Sequence, residues 1–187
     1  GATSSGASTT ALSLVPSLNA RPRVRHSSLI LRAWRLGTPQ TWTVNSSNVF
    51  TITGVVEDNL VGYSLTKAGT GTLKLNNTAN TYVGATRVSG GVLEVPTLAN
   101  GGLSSSIGAS TNDAVNLVLT NNAILRYTGS GATTDRLFSV GTGGGTIESS
   151  GLTGQLVFNG VGSMGFDGAT TARTLTLRGT NTGANTM

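Results

Sequence analysis

Seven acidic side chains are the groups through which this chain could carry out acid–base chemistry. Cleavage of a polysaccharide requires paired carboxylates, or carboxylates that hold a cation, close together in space. Glu57 and Asp58 are adjacent, so in a strand they point to opposite faces, and in a turn they act as turn residues. Asp135 lies beside Arg136, and Asp167 precedes a glycine, which is typical of turns. This spacing predicts no catalytic cluster.

Other catalytic and ligand-binding groups are sparse. His26 is the single histidine and cysteine is absent, so the chain beyond residue 40 has no Ser-His-Asp arrangement and no histidine or thiolate metal site. The sequence GTGGGT at 141–146 lacks the Lys-Ser/Thr ending of a phosphate-binding loop and no helical pattern follows it, which indicates a turn. We therefore expect no enzymatic activity, no cofactor and no metal site.

Two side-chain patterns could still form binding surfaces. Stacked Thr-x-Thr pairs can bind ice, and exposed aromatic rings in a row can stack on sugars. Both residue types are also ordinary strand residues, and packing in the core or at an edge is the commoner role. The pairs are Thr41/Thr43, Thr51/Thr53, Thr70/Thr72 and Thr174/Thr176, and the rings are Trp42, Tyr63, Tyr82 and Tyr127.

The net charge of +5 is confined to the start of the chain. Five arginines precede residue 40 without an acid among them, whereas the remaining seven basic residues balance the seven acidic ones. A nucleic-acid-binding surface would need an excess of positive charge on the folded part, so we expect no nucleic acid partner. The five are Arg21, Arg23, Arg25, Arg32 and Arg35.

The sequence LTKAGTGTLKLNNTANTYVGATRVSGGVLEV at 65–95 repeats an apolar-polar-apolar triplet. Leu73 and Leu75 flank Lys74, and twenty residues later Leu93 and Val95 flank Glu94. An interval near twenty suits one coil of a parallel β-solenoid, in which each coil buries its inward side chains against its neighbours. Lys74 and Glu94 are then predicted to pair on the outer surface of neighbouring coils.

Composition and turn spacing extend this interpretation to an all-β fold. Glycine makes up 27 of 187 residues and charged residues only 10%, which is typical of turn-rich β-structure. Short strand patterns are separated by NN, SGG and GTGGG turns, and residues 97–111 form one longer loop with a short helical turn at 103–107. The predicted core residues are Leu73, Leu75, Leu93, Val95, Leu117, Leu119, Leu175 and Leu177, with Gly90 and Gly91 at a turn.

Residues 65–95 also resemble the autotransporter-associated β-strand repeat, or passenger-associated transport repeat, of secreted and surface proteins of Gram-negative bacteria. The resemblance implies a right-handed parallel β-helix that forms part of a longer passenger. It departs at Ala85, where the family often has glycine, and at Arg87, where a small polar residue is usual. It rests on Leu65, Thr66, Lys67, Gly69, Gly71, Thr72, Leu73, Leu75, Asn80, Thr81, Tyr82, Gly84, Thr86, Val88, Gly90, Gly91 and Leu93.

Two regions follow from these patterns. Residues 1–40 are a low-complexity and basic segment, and 41–187 are the β-solenoid domain. The first segment is a cap or linker, a short basic membrane-touching helix, or sequence foreign to the solenoid. Its apolar run is interrupted by Arg32, unlike a normal signal peptide. Because the chain begins at Gly1 and stops directly after a coil, we expect it to be a segment of a longer protein.

The resemblance and the sparse chemistry together predict a structural and adhesive stalk segment without catalysis, secreted or on the bacterial surface. The repeat coils would assist export and folding. The expected partners are a host or environmental glycan or surface protein, and the rest of its own longer chain with a translocator that attaches it to the outer membrane. The alternative is a carbohydrate-active or glycan-binding β-helix.

Overall fold

The computed structural model describes residues 33–168 and 171–187, which form short strands joined by turns. Within these residues the single helical element is one 3-10 turn at Ala114–Asn116. The strands are β1 (Ala33–Arg35), β2 (Gln40–Thr43), β3 (Phe50–Ile52), β4 (Val55–Glu57), β5 (Leu65–Ala68), β6 (Thr72–Leu75), β7 (Thr86–Val88), β8 (Val92–Val95), β9 (Leu117–Leu119), β10 (Ala123–Tyr127), β11 (Ala132–Thr134), β12 (Ser139–Gly141), β13 (Gly145–Ser149), β14 (Leu156–Phe158), β15 (Gly165–Asp167) and β16 (Leu175–Gly179).

The strands stack into a parallel β-solenoid of about six coils, which confirms the predicted fold class. Each coil supplies one strand to each of two six-stranded sheets, and all the pairings between these strands are parallel. The first sheet has the order β2-β5-β7-β9-β12-β15, and the second has the order β3-β6-β8-β10-β13-β16. A third side carries the two-stranded pairs β1-β4 and β11-β14.

The alternation of the repeat places its apolar residues in continuous inward columns. In the second sheet Leu73 pairs with Leu93, Leu93 with Leu125, and Leu125 with Ile147. Their backbones are about 4.8 Å apart, so each side chain is covered by the ones above and below. A coil cannot bury these side chains alone, and stacking therefore accounts for most of the core.

Six of the eight predicted core residues lie in this interior. Leu73, Leu75, Leu93, Val95, Leu117 and Leu119 are each no more than 1% exposed. The assignment of Leu177 to the core is wrong, because its side chain is 56% exposed, and Leu175 is only partly buried. Both leucines lie on β16, the last strand of the second sheet, where no described strand covers the outer side of the column.

Gly90 and Gly91 form the turn between β7 and β8. Gly91 has a φ of +59°, and a Cβ there would come within 2.4 Å of the Gly71 carbonyl oxygen on the preceding coil. The position therefore requires glycine both for its backbone conformation and for the close approach of neighbouring coils.

At the N-terminal side, regular pairing within the described residues begins at Ala33. Strand β1 pairs in parallel with β4, and Leu36 is 1% exposed. Trp34 contacts Trp42 edge to face with ring centroids 6.2 Å apart. Solenoid pairing thus includes residues 33–36 of the segment assigned to 1–40, while residues 1–32, with His26, lie outside the described residues.

The longest coil contains the loop at 97–116. Leu93 pairs with Leu125, an interval of 32 residues, where the preceding coil takes twenty. The helical turn predicted at 103–107 is wrong, because Ser105 forms a β-bridge with Asn80 there. The 3-10 turn instead packs over the first sheet, where Ser139 donates a hydrogen bond to the Ala114 carbonyl oxygen at 2.8 Å.

Candidate functional site

The outer face of the second sheet carries a column of five alternating charges, which we call the charged column. The strand register places Lys74, Glu94, Arg126, Glu148 and Arg178 on successive strands. Lys74 Nζ lies 2.9 Å from Glu94 Oε1, which confirms the pairing predicted from the twenty-residue interval. Arg126 contacts Glu94 at 3.7 Å and Glu148 at 2.5 Å, and Arg178 contacts Glu148 at 2.8 Å. Each glutamate of the column lies between two basic side chains, and the column as a whole carries one net positive charge.

Glu148 is the most tightly held member of the charged column. Burial by itself would raise the pKa of Glu148, but hydrogen bonds from Arg126, Arg178 and Ser150 outweigh that effect and hold its pKa below the usual value. Arg126 donates to one carboxylate oxygen at 2.5 Å and Arg178 to the other at 2.9 Å. The carboxylate therefore bridges three coils and is already engaged on both oxygens.

A buried guanidinium organises the long loop. Arg136 is 2% exposed, and its Nε donates to the Ala99 carbonyl oxygen at 2.9 Å. Its terminal nitrogens donate to the Ser110 hydroxyl at 2.9 Å, to the Gly108 carbonyl at 3.1 Å and to the Leu103 carbonyl at 3.4 Å. Burial lowers the pKa of Arg136 from its ordinary value. With a further contact to the Thr111 carbonyl oxygen at 3.5 Å, one side chain thus fixes five points of the loop.

Asp135, the residue before Arg136, fixes the outer part of the same loop. Asp135 Oδ1 accepts a hydrogen bond from the Gly101 amide at 2.7 Å, and the Asp135 amide donates to Asn100 Oδ1 at 3.0 Å. Between these held points the loop exposes an apolar side chain, Leu103, which is 58% exposed. The loop is therefore an ordered surface feature, which is the kind of element through which rigid scaffolds bind partners.

Asp58 holds a turn by accepting backbone hydrogen bonds. Its carboxylate accepts from the amides of Leu60 at 3.0 Å, Gly62 at 2.8 Å and Tyr63 at 2.9 Å, and from Val83 on the next coil at 3.3 Å. Asp58 itself is 1% exposed. It thus serves as a turn residue, one of the two roles expected from the sequence.

Lys67 is a second buried charge, for which the sequence predicts no structural role. It is 1% exposed, and its Nζ donates to the carbonyl oxygens of Ala68 at 3.0 Å, Gly69 at 2.8 Å and Gly90 at 2.9 Å. Burial lowers the pKa of Lys67. The ammonium group joins the turns of two neighbouring coils, so it is a structural group.

The other acidic and glycine-rich candidates lie apart. Glu57 is on β4, and Asp167 is on β15, where it forms an ion pair with Arg87. The sequence at 141–146 is a turn and the start of β13, and Gly143 and Gly144 both have positive φ. Among residues 33–168 and 171–187, no three histidine, cysteine, aspartate or glutamate side chains are placed to hold a metal ion.

The aromatic and threonine patterns form neither of the two surfaces considered. Trp42, Tyr82 and Tyr127 are buried, and Tyr63 is partly buried against the core. Thr51 pairs with Lys74, and Thr72 with Val92, which interrupts any threonine ladder on the second sheet. A row of exposed sugar-stacking rings is therefore not formed by these four residues.

The structural roles of Lys67 and Arg136 were not predicted from the sequence. Each follows a short polar residue in a strand or loop pattern, and an outward position is the ordinary expectation for such a charge. For Lys67 a signal was present, because the register of the repeat pairs it with Val88, an apolar residue at an inward position.

In the part of the chain that the structure describes, no helix has the length and hydropathy to cross a membrane.

Comparison with known proteins agrees with this architecture. The passenger-associated-transport-repeat family matches residues 65–95. A curated relative, the adhesin BmaC autotransporter of Brucella suis biovar 1 (strain 1330), is 46% identical over 152 residues. The match covers 81% of this chain, which spans about 4% of the length of that relative. No solved structure matches the chain. Residues 65–95 therefore carry a passenger-associated transport repeat, and most of the chain is similar to a segment of an autotransporter adhesin.

Proposed function

We propose that this chain is a non-catalytic, adhesive segment of a passenger that is secreted or displayed on the bacterial surface. The observation that carries the proposal is the continuous parallel stacking of about six coils, which makes a stiff element with an ordered loop on its side. The name of the relative, an autotransporter adhesin, supports the adhesive part.

The engagement of the acids supports the non-catalytic part. Asp58 accepts backbone hydrogen bonds in a turn, and Asp135 holds the loop. Glu94 and Glu148 are neutralised within the charged column, and Asp167 pairs with an arginine on another coil. A general acid or base must be free to exchange a proton with a substrate at a shared site. These five carboxylates have structural partners instead.

Coil-upon-coil folding would also favour export. Each coil buries its apolar columns only against a neighbour that has already folded, so folding can proceed from one end as the chain emerges. Parallel strand pairing with the preceding coil stabilises each new coil as it folds. The expected partners in this process are the rest of the longer chain and a translocator in the outer membrane.

Adhesion and catalysis can be separated with one preparation of the folded chain. Beads coated with the chain are expected to attach to cultured epithelial cells, whereas beads coated with Leu75→Asp are not, because Leu75 is fully buried and its replacement disrupts the coil. Periodate treatment of the cells distinguishes a glycan target, whose binding is lost, from a protein target. Attachment equal to that of the unfolded variant would refute the adhesive role.

The same chain is then incubated with polyuronate and neutral polysaccharides. We expect no increase in reducing ends and no unsaturated product. Release of product by the purified chain, abolished in a carboxylate variant that remains folded, would refute the non-catalytic proposal and favour the carbohydrate-active alternative.

A further inference from the structure

The sequence contains two Asn-Gly pairs, Asn100-Gly101 and Asn159-Gly160. An asparagine followed by glycine is prone to spontaneous loss of its side-chain amide, because the next backbone nitrogen can attack the side-chain carbonyl carbon and glycine has no Cβ to hinder it. The reaction requires that the glycine amide be free to move toward the asparagine side chain. The two pairs differ in this respect.

Asn100-Gly101 is held on both sides by one residue. The Gly101 amide donates to Asp135 Oδ1 at 2.7 Å, and Asn100 Oδ1 accepts from the Asp135 amide at 3.0 Å. The nucleophilic nitrogen is thus directed toward a carboxylate, and the side chain that it would attack is fixed by a second hydrogen bond. Attack would require both bonds to break, one of them charge-assisted.

Asn159-Gly160 begins an exposed turn after β14. Asn159 is exposed, and its own amide donates to the Thr134 carbonyl oxygen at 2.9 Å. The Gly160 amide has no acceptor within the part of the chain that the structure describes. Val161, the next residue, is 100% exposed, and Gly162 follows it. The attacking nitrogen and the asparagine side chain are therefore both available.

We propose that Asn159 is a site of spontaneous deamidation in the folded protein and that Asp135 protects Asn100 from the same reaction. The Gly160 nitrogen loses its proton to hydroxide and forms a bond to Asn159 Cγ. The bond from Cγ to Nδ2 breaks, and the nitrogen takes a proton from water, which restores the hydroxide, and leaves as ammonia. Water then opens the resulting succinimide at either carbonyl, which gives aspartate or isoaspartate at 159. Water is consumed, ammonia is released, and no oxidant or reductant takes part.

The turn is placed where this change affects the stacking of coils. Gly160 packs against the preceding coil so closely that a Cβ would come within 2.2 Å of the Asp135 carbonyl oxygen. Isoaspartate adds one carbon to the backbone at residue 159, next to the parallel pair of β14 with β11. The modified chain is therefore expected to exchange the amide hydrogens of β14 faster than the fresh chain, while those of β6 and β8 stay protected.

Tryptic digestion separates the two pairs, because Asn100 lies in peptide 88–126 and Asn159 is the single asparagine of peptide 137–173. The folded chain is incubated in mildly alkaline buffer, and each peptide is analysed by mass spectrometry for replacement of an amide by an acid, with isoaspartyl methyltransferase labelling. Since Gly101 must first leave a charge-assisted hydrogen bond, deamidation at Asn159 is expected to be about tenfold faster or more.

Three comparisons decide between the protective contact and intrinsic reactivity. In denaturant the two pairs are expected to react at similar rates. Asp135→Ala is expected to accelerate deamidation at Asn100 in the folded chain. Asn159→Gln is expected to abolish deamidation in peptide 137–173. Equal rates at the two pairs in the folded wild-type chain, or a difference that persists in denaturant, would overturn the proposal.

Discussion

Replacement of the buried Arg136 by methionine tests whether one guanidinium holds the long loop. Methionine keeps much of the side-chain length but removes every donor. The carbonyl oxygens of Ala99 and Gly108 and the hydroxyl of Ser110, all within 3.1 Å of the guanidinium, then lose this donor. The two carbonyl oxygens keep hydroxyl donors from Thr134 and Ser105, so the loss is that of three hydrogen bonds from a charged group, each worth about 1.5–3 kcal/mol.

The sum over three hydrogen bonds is roughly 4.5–9 kcal/mol, and relief of the desolvation of the charge brings the net cost toward about 3 kcal/mol. The free energy of unfolding from urea titration measures the total. Hydrogen exchange shows where in the structure the stability is lost. The amides of Gly102 and Ala109, which donate to the carbonyl oxygens of Ser110 and Tyr82, are expected to lose protection.

The matched control is Arg87→Met, at an arginine whose side chain is 37% exposed and which pairs with Asp167, whose side chain is 39% exposed. Exposed ion pairs contribute about 0–1 kcal/mol, so this variant is expected to change stability little and to leave the loop protected. A cost for Arg136→Met below about 1 kcal/mol, with the loop amides still protected, would refute the stabilising role assigned to the guanidinium.

Three further predictions concern the core, the charged column and a turn. Leu75→Asp, in the interior, is expected to lower the free energy of unfolding by at least about 4 kcal/mol. Leu177→Asp, at an exposed site, is expected to change it by about 0.5 kcal/mol or less. Equal losses of unfolding free energy in urea titrations of the two variants would contradict the assigned inward column. Because the folded pKa of Glu148 is depressed, its contribution to stability is present above the ordinary glutamate pKa and is lost as the pH falls below it; Glu148→Gln should flatten the acid side of a stability–pH profile, and an unchanged profile would count against the bridge. Asp58→Ala removes an acceptor shared by several amides and should lower stability by about 2–4 kcal/mol in thermal unfolding, while Asp113→Ala, at an exposed residue, should be nearly neutral.

Where the repeat is regular, the sequence predicted the fold at the level of individual contacts. Stacked coils require the same residue type at the same phase, so an interval of twenty placed Leu73 on Leu93 and Lys74 on Glu94. The inward burial of these leucines and the neighbouring charge pair both follow from alternation with a period of two. The same alternation gave the wrong environment for Leu177, because periodicity indicates which face a residue occupies and not whether another strand covers that face.

The acceptors of the two buried charges were outside the reach of pattern alone. Arg136 and Lys67 read as solvated surface groups, yet each is at most 2% exposed and is satisfied by carbonyl oxygens. Those carbonyls come from turns and from a loop whose positions depend on the packing of several coils. No local signal in the sequence could identify them as acceptors.

The sequence by itself determined the solenoid, its parallel coils, its inward columns and the scarcity of catalytic groups, because all of these depend on residue type and phase along the chain. Only the tertiary structure decided how Arg136 and Asp135 order the long loop, how Asp58 joins two coils and which Asn-Gly pair is held. These features depend on hydrogen bonds between residues 25 to 37 positions apart, such as that from Arg136 to Ser110. Their geometry exists only once the coils have stacked.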